Sequence, residues 1–305
     1  MKLKSLFLVA SCLLALASCS GSAEPDGGIE GDKPYYLNVM QFNIRYMNND
    51  DTGDTHWTVR KNAIKTMIRE LKPDVISVNE ARTAQRTDLK TLLPEYEFLE
   101  VPNTGTSSGG NVNIMYLKDK FKLLASKSFY LSATPNVPSF TWDSTQKQYH
   151  VCIWARLKDN ETGKDFYFFA THYNTGSSDV DIAAKTNSTN LILSRIEEVT
   201  SGDSKAIIFV AGDMNASLES NDSRCVSLKP YLENGFKNAR ASALSTDSVV
   251  SFNGFSDAAR DQKSNIDFIF YKNVTGMAFK TVNEPYNGIK YVSDHYPVTL
   301  QAMTF

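Results

Sequence analysis

The sequence predicts an α/β protein: two stacked β-sheets with helices packed outside them. Two observations lead there. Dense apolar runs, long enough to be buried strands, recur along the chain, some following one another as hairpins and others separated by amphipathic helices. No second linker, repeat or low-complexity tract interrupts the 305-residue chain after Tyr35, so 42% hydrophobic and 22% charged residues are read as one large core-bearing domain over 35–305.

The elements follow in chain order. "MKLKSLFLVASCLLALASC" opens with two lysines, continues as an apolar run short for a membrane span, and ends in small residues, the pattern of an export signal. Its end, Leu16-Ala17-Ser18-Cys19, resembles the bacterial lipobox. That resemblance implies a signal peptide over 1–18, acylation at Cys19 and a lipid anchor in the bacterial cell envelope. An ordinary secretory signal would leave Cys19 incidental; either way the mature chain is expected to be exported. Residues 19–34 are rich in Gly, Ser, Pro and acid, show no apolar periodicity, and read as a flexible tether. Tyr35–Ile44 is apolar on both alternating faces and suits a buried strand. Trp57–Leu71 places Ile64, Met67, Ile68 and Leu71 at helical spacing, with Pro73 as the stop. Strands are expected at Asp74–Glu80, Asn111–Leu117, His150–Leu157, Phe166–His172, Ala206–Asp213 and Ile266–Tyr271, and a second helix at Asn187–Val199.

Charge and cysteine content narrow the function classes. Removing residues 1–18 takes away Lys2 and Lys4 and no acid, so the formal charge of −2 becomes −4. Such a chain is poorly suited to gripping a long polyanion by bulk electrostatics, which disfavours nucleic acid as a partner. "RTAQRTDLK" (Arg82–Lys90) is the one stretch that offers a candidate strand contact. Beyond the leader and Cys19 only Cys152 and Cys225 remain, with no zinc spacing. An exported compartment permits them to pair, but Cys152 lies in a strand-like run and reads as a small buried hydrophobe.

The informative residues stand at strand ends. Asn43 closes the first strand and Glu80 the second; His172 and Asn174 follow "FYFFAT", and Asp213 and Asn215 follow "AIIFVAG". Asp267 opens "IDFIFY", and Asp294-His295 precede "YPVTL". Side chains two apart on an extended chain point the same way, so His172/Asn174 and Asp213/Asn215 are each expected to be two-pronged sets. Taken singly, an Asp or Asn after a strand is ordinarily a turn or cap residue. Polar termination on six separate segments is what that bland reading does not predict.

"QFNIRY", "SVNEAR", "FATHYN", "AGDMNA", "NIDFIF" and "SDHYPV" occur in the order and at roughly the intervals of the endonuclease/exonuclease/phosphatase superfamily, which this chain resembles from about Leu37 to Leu300. "W57-T-V-R60", "CIWARL" and "SFNGF" make it similar to the secreted bacterial branch. The resemblance implies a four-layer αββα sandwich of two mixed sheets, DNase I-like, with one site between them at the top. It implies hydrolysis of a phosphoester by water, with Mg²⁺, or Mn²⁺, as cofactor. In this scheme Glu80 is the principal metal ligand, with Asn43 and Asp294 in support. Asp213 or His295 activates water, Asn215 and His172 donate to phosphoryl oxygens, and Asp267 orients His295. Oxygen ligands of this type suit Mg²⁺, which keeps several waters and needs only one or two carboxylates. Arg45, Trp142, His150 and Asn174 are expected to contact substrate, and the protein is expected to act as a monomer.

The chain departs from the family pattern at several places. Asn79 stands where Leu-Gln-Glu is common, Tyr173-Asn174-Thr175 follows "TH", Ala184-Lys185 replaces Ala-Arg, His150 occupies an arginine position, and Gly109-Gly110-Asn111 replaces Gly-Glu. All are read as pocket wall. Lost arginines remove planar bidentate phosphate grips that Lys or His replaces poorly. The leading expectation is an exported hydrolase of a small or lipid-headgroup phosphoester. A nuclease of the same fold, or a non-catalytic surface-binding lipoprotein, are the alternatives.

Overall fold

The structure, a computed structural model, describes residues 33–101, 112–142 and 147–305. The leader, Cys19, nearly all of the tether, Gly109-Gly110-Asn111 and Asp143 lie outside them. Pro34–Phe305 forms one contact unit.

The elements are β1 (Tyr35–Asn43), α1 (Trp57–Leu71), β2 (Val75–Asn79), α2 (Thr83–Leu92), β3 (Tyr96–Glu100), β4 (Val112–Leu117), β5 (Phe121–Tyr130), β6 (Val151–Asp159) and β7 (Asp165–His172). They continue with α3 (Asp179–Thr200), β8 (Ile208–Asp213), α4 (Lys229–Glu233), β9 (Lys237–Asn238), α5 (Ala239–Ser242), β10 (Asp267–Lys272), β11 (Thr275–Thr281) and β12 (Val298–Thr304). Two six-stranded sheets result, in the orders β11-β12-β1-β2-β4-β3 and β5-β6-β7-β8-β10-β9. Each is mixed, with one parallel pair at its centre: β1 with β2, and β7 with β8. These strands are buried on both faces, which is why they read as continuous apolar runs.

Three apolar layers hold the sandwich. Val39, Ile114, Phe166, Phe168, Phe209 and Leu300 fill the space between the sheets. Trp57, Ile64, Met67 and Ile68 of α1 cover the outer face of the first sheet. Ile192 and Ile196 of α3 pack with Phe169, Val210 and Phe270 on the outer face of the second. Each such side chain contributes about 1.5–3 kcal/mol when fully buried. The four-layer αββα architecture is therefore present as predicted.

Two expectations need correction. The second helix starts at Asp179 rather than Asn187, because Ser178 and Asp181 form a reciprocal cap: Asp181 N donates to Ser178 Oγ, and Ser178 N donates to the Asp181 carboxylate at 3.0 Å. Its first half buries Lys185, Ser188 and Thr189, so it carries no apolar stripe. Arg82–Lys90 is not a free basic track either. It lies on α2 and at its start, where Arg82 stacks on Tyr46 and donates to Met47 O, and Arg86 pairs with Glu100. Cys152 and Cys225 are both buried free thiols.

Candidate active site

Strand register assembles the centre. In the first sheet Asn43 is the partner of Asn79, so the ends of β1 and β2 lie side by side and Glu80 follows at once. In the second, His172 is the partner of Asp213, and Asp213 in turn faces Asp267 on β10. Both parallel pairs thus end at the same pole of the sandwich, the position where open α/β sheets place their ligands. A polar layer joins the sheets there. Gln41 Nε2 donates to Asn79 Oδ1 (2.7 Å) and Asp267 Oδ1 (3.1 Å), Asn79 Nδ2 donates to Thr171 O (3.0 Å), and Asp213 N donates to Asn79 Oδ1 (2.9 Å). Asn79, expected in the pocket wall, is a wholly buried cross-sheet clamp instead. Its shorter amide suffices to span the sheets, reaching Thr171 O at 3.0 Å and Asp213 N at 2.9 Å.

Strand alternation does not account for the paired prongs. The strand ends at His172, so Asn174 turns inward and donates to Asp181 O (3.3 Å). Asn215 reaches the site through a left-handed backbone at φ 45°, with its N–H on Asp213 Oδ1 at 2.9 Å. Arg45 (φ 59°) and Glu80 (φ 65°) are left-handed too. Strain of this kind costs about 1–3 kcal/mol per residue and clusters where geometry matters.

The segment carrying Asp294 is tied to the end of β1. Ser293 Oγ donates to Asn43 O (2.7 Å), and the buried Arg60 guanidinium donates to Ile44 O (2.9 Å) and Val292 O (2.8 Å). Asn43 Nδ2 in turn donates to both Glu80 Oε1 and Asp213 Oδ2, at 3.0 Å each, and Tyr46 N donates to Glu80 Oε2 at 3.0 Å. Both Glu80 oxygens are pre-oriented and keep lone pairs free.

Electrostatics give these groups distinct states. Burial alone would raise the Asp213 pKa, but the charge on His295 and the hydrogen bond from His172 hold it well below the usual carboxylate range. Burial would lower that of His295, yet Asp267, with Oδ2 2.8 Å from Nδ1, and Asp213 lift it well above an ordinary imidazole. His172 is raised too: burial opposes, while Asp213 and Glu80 favour the charged ring. Its Nε2 lies 3.4 Å from Asp213 Oδ2 and 3.1 Å from Asn215 Nδ2, so the neutral ring accepts from Asn215 and the protonated ring donates to Asp213. Asp294 shifts up, chiefly through burial, then through the neighbouring Glu80 charge, with His295 and Arg45 opposing.

Asp213, Asp267 and His295 offer ligand atoms within 4.8 Å of one another and can hold a metal ion. Asp267 and His295 are already engaged with each other, through Oδ2 and Nδ1 at 2.8 Å. Glu80 and Asp294, the second of which is harder to ionise because of burial and the neighbouring Glu80 charge, are the hard-oxygen set that a divalent cation would relieve. The residues present therefore fit such an ion.

A cavity of about 490 Å³ opens over the centre. Of the residues expected to contact substrate, Arg45 lines it, beside Glu80, His172, Asp213, Asn215, Asp294 and His295. The other three do not. His150 is buried beneath His172 and donates Nδ1–H to its carbonyl at 3.0 Å; Asn174 is buried; Trp142 packs on the core outside the second sheet. Lys185, also expected in the wall, is wholly buried and donates to Thr175 O (3.3 Å) and Gly176 O (2.6 Å). The wall instead includes Arg224, Phe252, Arg260 and Lys263, which sit in loops and short 3₁₀ turns without periodicity; the cationic spacing in "RDQK" (260–263) was the only available signal.

A four-layer sandwich with carboxylates, carboxamides and paired imidazoles at one pole defines a class of metal-associated hydrolase folds. More particularly, the chain belongs to the endonuclease/exonuclease/phosphatase family, matching it over residues 40–295. It is similar to a solved family protein from Bacteroides vulgatus (28% identity, TM-score 0.77, covering 89% of this chain and 99% of that one). It is also similar to a mannosyl-6-phosphatase from Bacteroides thetaiotaomicron (25% identity, TM-score 0.77, 88% and 100%). TDP2 from D. rerio, solved with a single-strand DNA product, shares the fold at 19% identity (TM-score 0.66, 88% and 99%). No curated protein matches the sequence.

Proposed function

We propose that the protein is an exported, Mg²⁺-dependent hydrolase of small phosphoesters, a sugar phosphate above all, held to the bacterial envelope through Cys19. One observation carries the chemistry: the Asp213 carboxylate lies between two imidazoles, with His172 Nε2 at 3.4 Å and His295 Nε2 at 3.8 Å from its Oδ2, so that charge on either side favours charge on the other. With His295 charged, Asp213 is the group at the centre able to accept a proton from attacking water. Asn43 Nδ2 and Asn215 N hold its two oxygens in place. His172 and His295 supply donors to the charge that develops on the phosphoryl oxygens, the contribution that preorganised dipoles and charges make most effectively. Asp267 fixes the His295 tautomer. A divalent ion on Glu80, Asn43 and Asp294, when bound, would act as a Lewis acid toward the phosphoryl group.

The mildly acidic chain and the likeness to a mannosyl-6-phosphatase support a small substrate over a nucleic-acid strand. A phosphate-release panel tests the proposal, comparing hexose phosphates, inositol phosphates, nucleotides, phospholipid headgroups and single-stranded DNA, each with Mg²⁺, Mn²⁺, Ca²⁺ or EDTA. Turnover of a small phosphoester that EDTA abolishes is expected. Faster cleavage of DNA at low salt would reassign it as a nuclease, and no metal-dependent turnover of any substrate would leave a binding protein.

A further inference from the structure

Four cations line the cavity wall, and they are not equivalent. Arg45 is balanced by Asp51 at 3.2 Å and Asp294 at 3.7 Å, and Arg224 by Asp222 at 2.6 Å. Arg260 and Lys263 have no carboxylate within ion-pair distance among the described residues. Asp261, between them, spends its carboxylate on Lys263 N (3.1 Å) as the cap of a short 3₁₀ turn.

Arg260 is nonetheless held in place. Its Nη2 donates to Asn253 O at 3.0 Å, and its guanidinium lies over the Phe252 ring, 4.8 Å from the centroid. Gly254 makes the room: at φ +61° it carries no Cβ, and one there would stand 2.3 Å from Nη2. The Phe252 ring also meets that of His295, with centroids 5.0 Å apart. One phenyl group therefore touches both the catalytic imidazole and the guanidinium. The two distances, 4.8 Å and 5.0 Å, set 9.8 Å as the upper bound on the separation of their centres. A fixed guanidinium with unused donors is suited to bidentate recognition of an anion. At this spacing the anion would belong to the same small molecule as the phosphate being cleaved.

We infer that Arg260, assisted by Lys263, forms a subsite for a second anionic group, so that the preferred substrate is a small phosphoester bearing another phosphate or a carboxylate. The inference rests on the proposed hydrolase reading for its consequence in catalysis, but not for binding. It also gives the missing arginine at position 185 a counterpart: the cationic grip comes from the loop before β10 rather than from α3.

The test compares the intact protein with Arg260→Gln, Arg260→Lys and Lys263→Gln on fructose 1,6-bisphosphate, fructose 6-phosphate, 3-phosphoglycerate and glycerol 3-phosphate. Wild type should favour the doubly anionic member of each pair in kcat/KM. Arg260→Gln should shrink that preference about ten- to hundredfold, Lys263→Gln by less, and Arg260→Lys should restore part of it. Preference confined to one pair identifies phosphate or carboxylate as the second group. Equal losses on both members of each pair, or a wild type without preference, would overturn the subsite. So would a larger Arg260→Gln effect on oligothymidylate than on the bisphosphate, which would make the loop a strand contact. If wild type turns over none of these compounds, the hydrolase reading is left to the wider phosphate-release panel, and calorimetric binding in EDTA decides the subsite alone. Tighter binding of the bisphosphate than of the monophosphate, lost in Arg260→Gln, supports it; equal binding rejects it.

Discussion

Acid sensitivity should trace to a histidine outside the catalytic set. His150 is buried beneath His172, and its Nε2 meets no partner among the described residues. Burial, with the charges on His172 and Lys185 adding to it, pushes its pKa from 6.5 to about 3, despite the opposing bond to His172 O. The unfolded chain takes up a proton below pH 6.5 that the native state refuses until about pH 3, so stability falls as pH drops through that window. At pH 5, about 1.5 units below the unfolded value, the loss is about 2 kcal/mol at 1.36 kcal/mol per unit. At pH 7 it is nearly nil. His172 and His295 behave oppositely, since raised folded pKa values stabilise fully below the unfolded pKa and lose that contribution as pH rises. Their contribution is common to wild type and variant. Urea unfolding of wild type and His150→Gln at pH 7.0 and 5.0 isolates the effect, because glutamine can still donate to the His172 carbonyl but takes no proton. Wild type should lose about 2 kcal/mol more than the variant between the two pH values. Identical pH dependence in both would refute the reasoning.

Asp213→Asn keeps the shape but removes the charge between the two imidazoles. Phosphate release should fall by about 10²–10⁴, and the NMR-monitored pKa of both histidines should drop. Retention of a rate within tenfold of wild type would reject Asp213 as base. Gly212→Ala should destabilise by about 1–3 kcal/mol and reduce turnover, since the added Cβ would lie 2.2 Å from Thr171 O, prising β7 from β8 beside His172 and Asp213. Thermal and urea melts alongside the rate assay check both effects. Arg60→Met leaves the carbonyls of Ile44, Val292 and Thr55 without their donor. A loss of roughly 3 kcal/mol or more in urea unfolding is expected, with weakened activation by Mg²⁺.

What the sequence made legible was whatever depends on dense burial. β7, β8 and β10 are buried almost throughout and β1 over its second half, so their apolar runs and polar ends stand out against the rest of the chain. β5 alternates exposed Lys122 and Lys127 with half-buried residues at a sheet edge, and β9 is two residues long; neither rises above its surroundings. The polar cluster at the pole was readable because its members stand at the ends of strands or within a few residues of them. His150 and Asn174 misled because their types suggested a wall, while their neighbours across the sheet and in α3 enclose them. Arg260 and Lys263 were missed because nothing in a loop's residue order says which carboxylates lie near it. Ion pairing is a tertiary property, and only the fold distinguishes Arg224, neutralised by Asp222, from Arg260.

The pairing of the first strand with the last has a practical consequence. Tyr35 faces Thr304, while Gln41 near the polar pole of the sandwich faces Val298. At about 3.3 Å per residue, the eight steps of β1 put Tyr35 roughly 26 Å from Asn43. Both ends of the folded unit therefore emerge at the floor of the sandwich. A fusion partner, affinity handle or immobilising support joined at either end would leave the mouth of the cavity clear for incoming molecules.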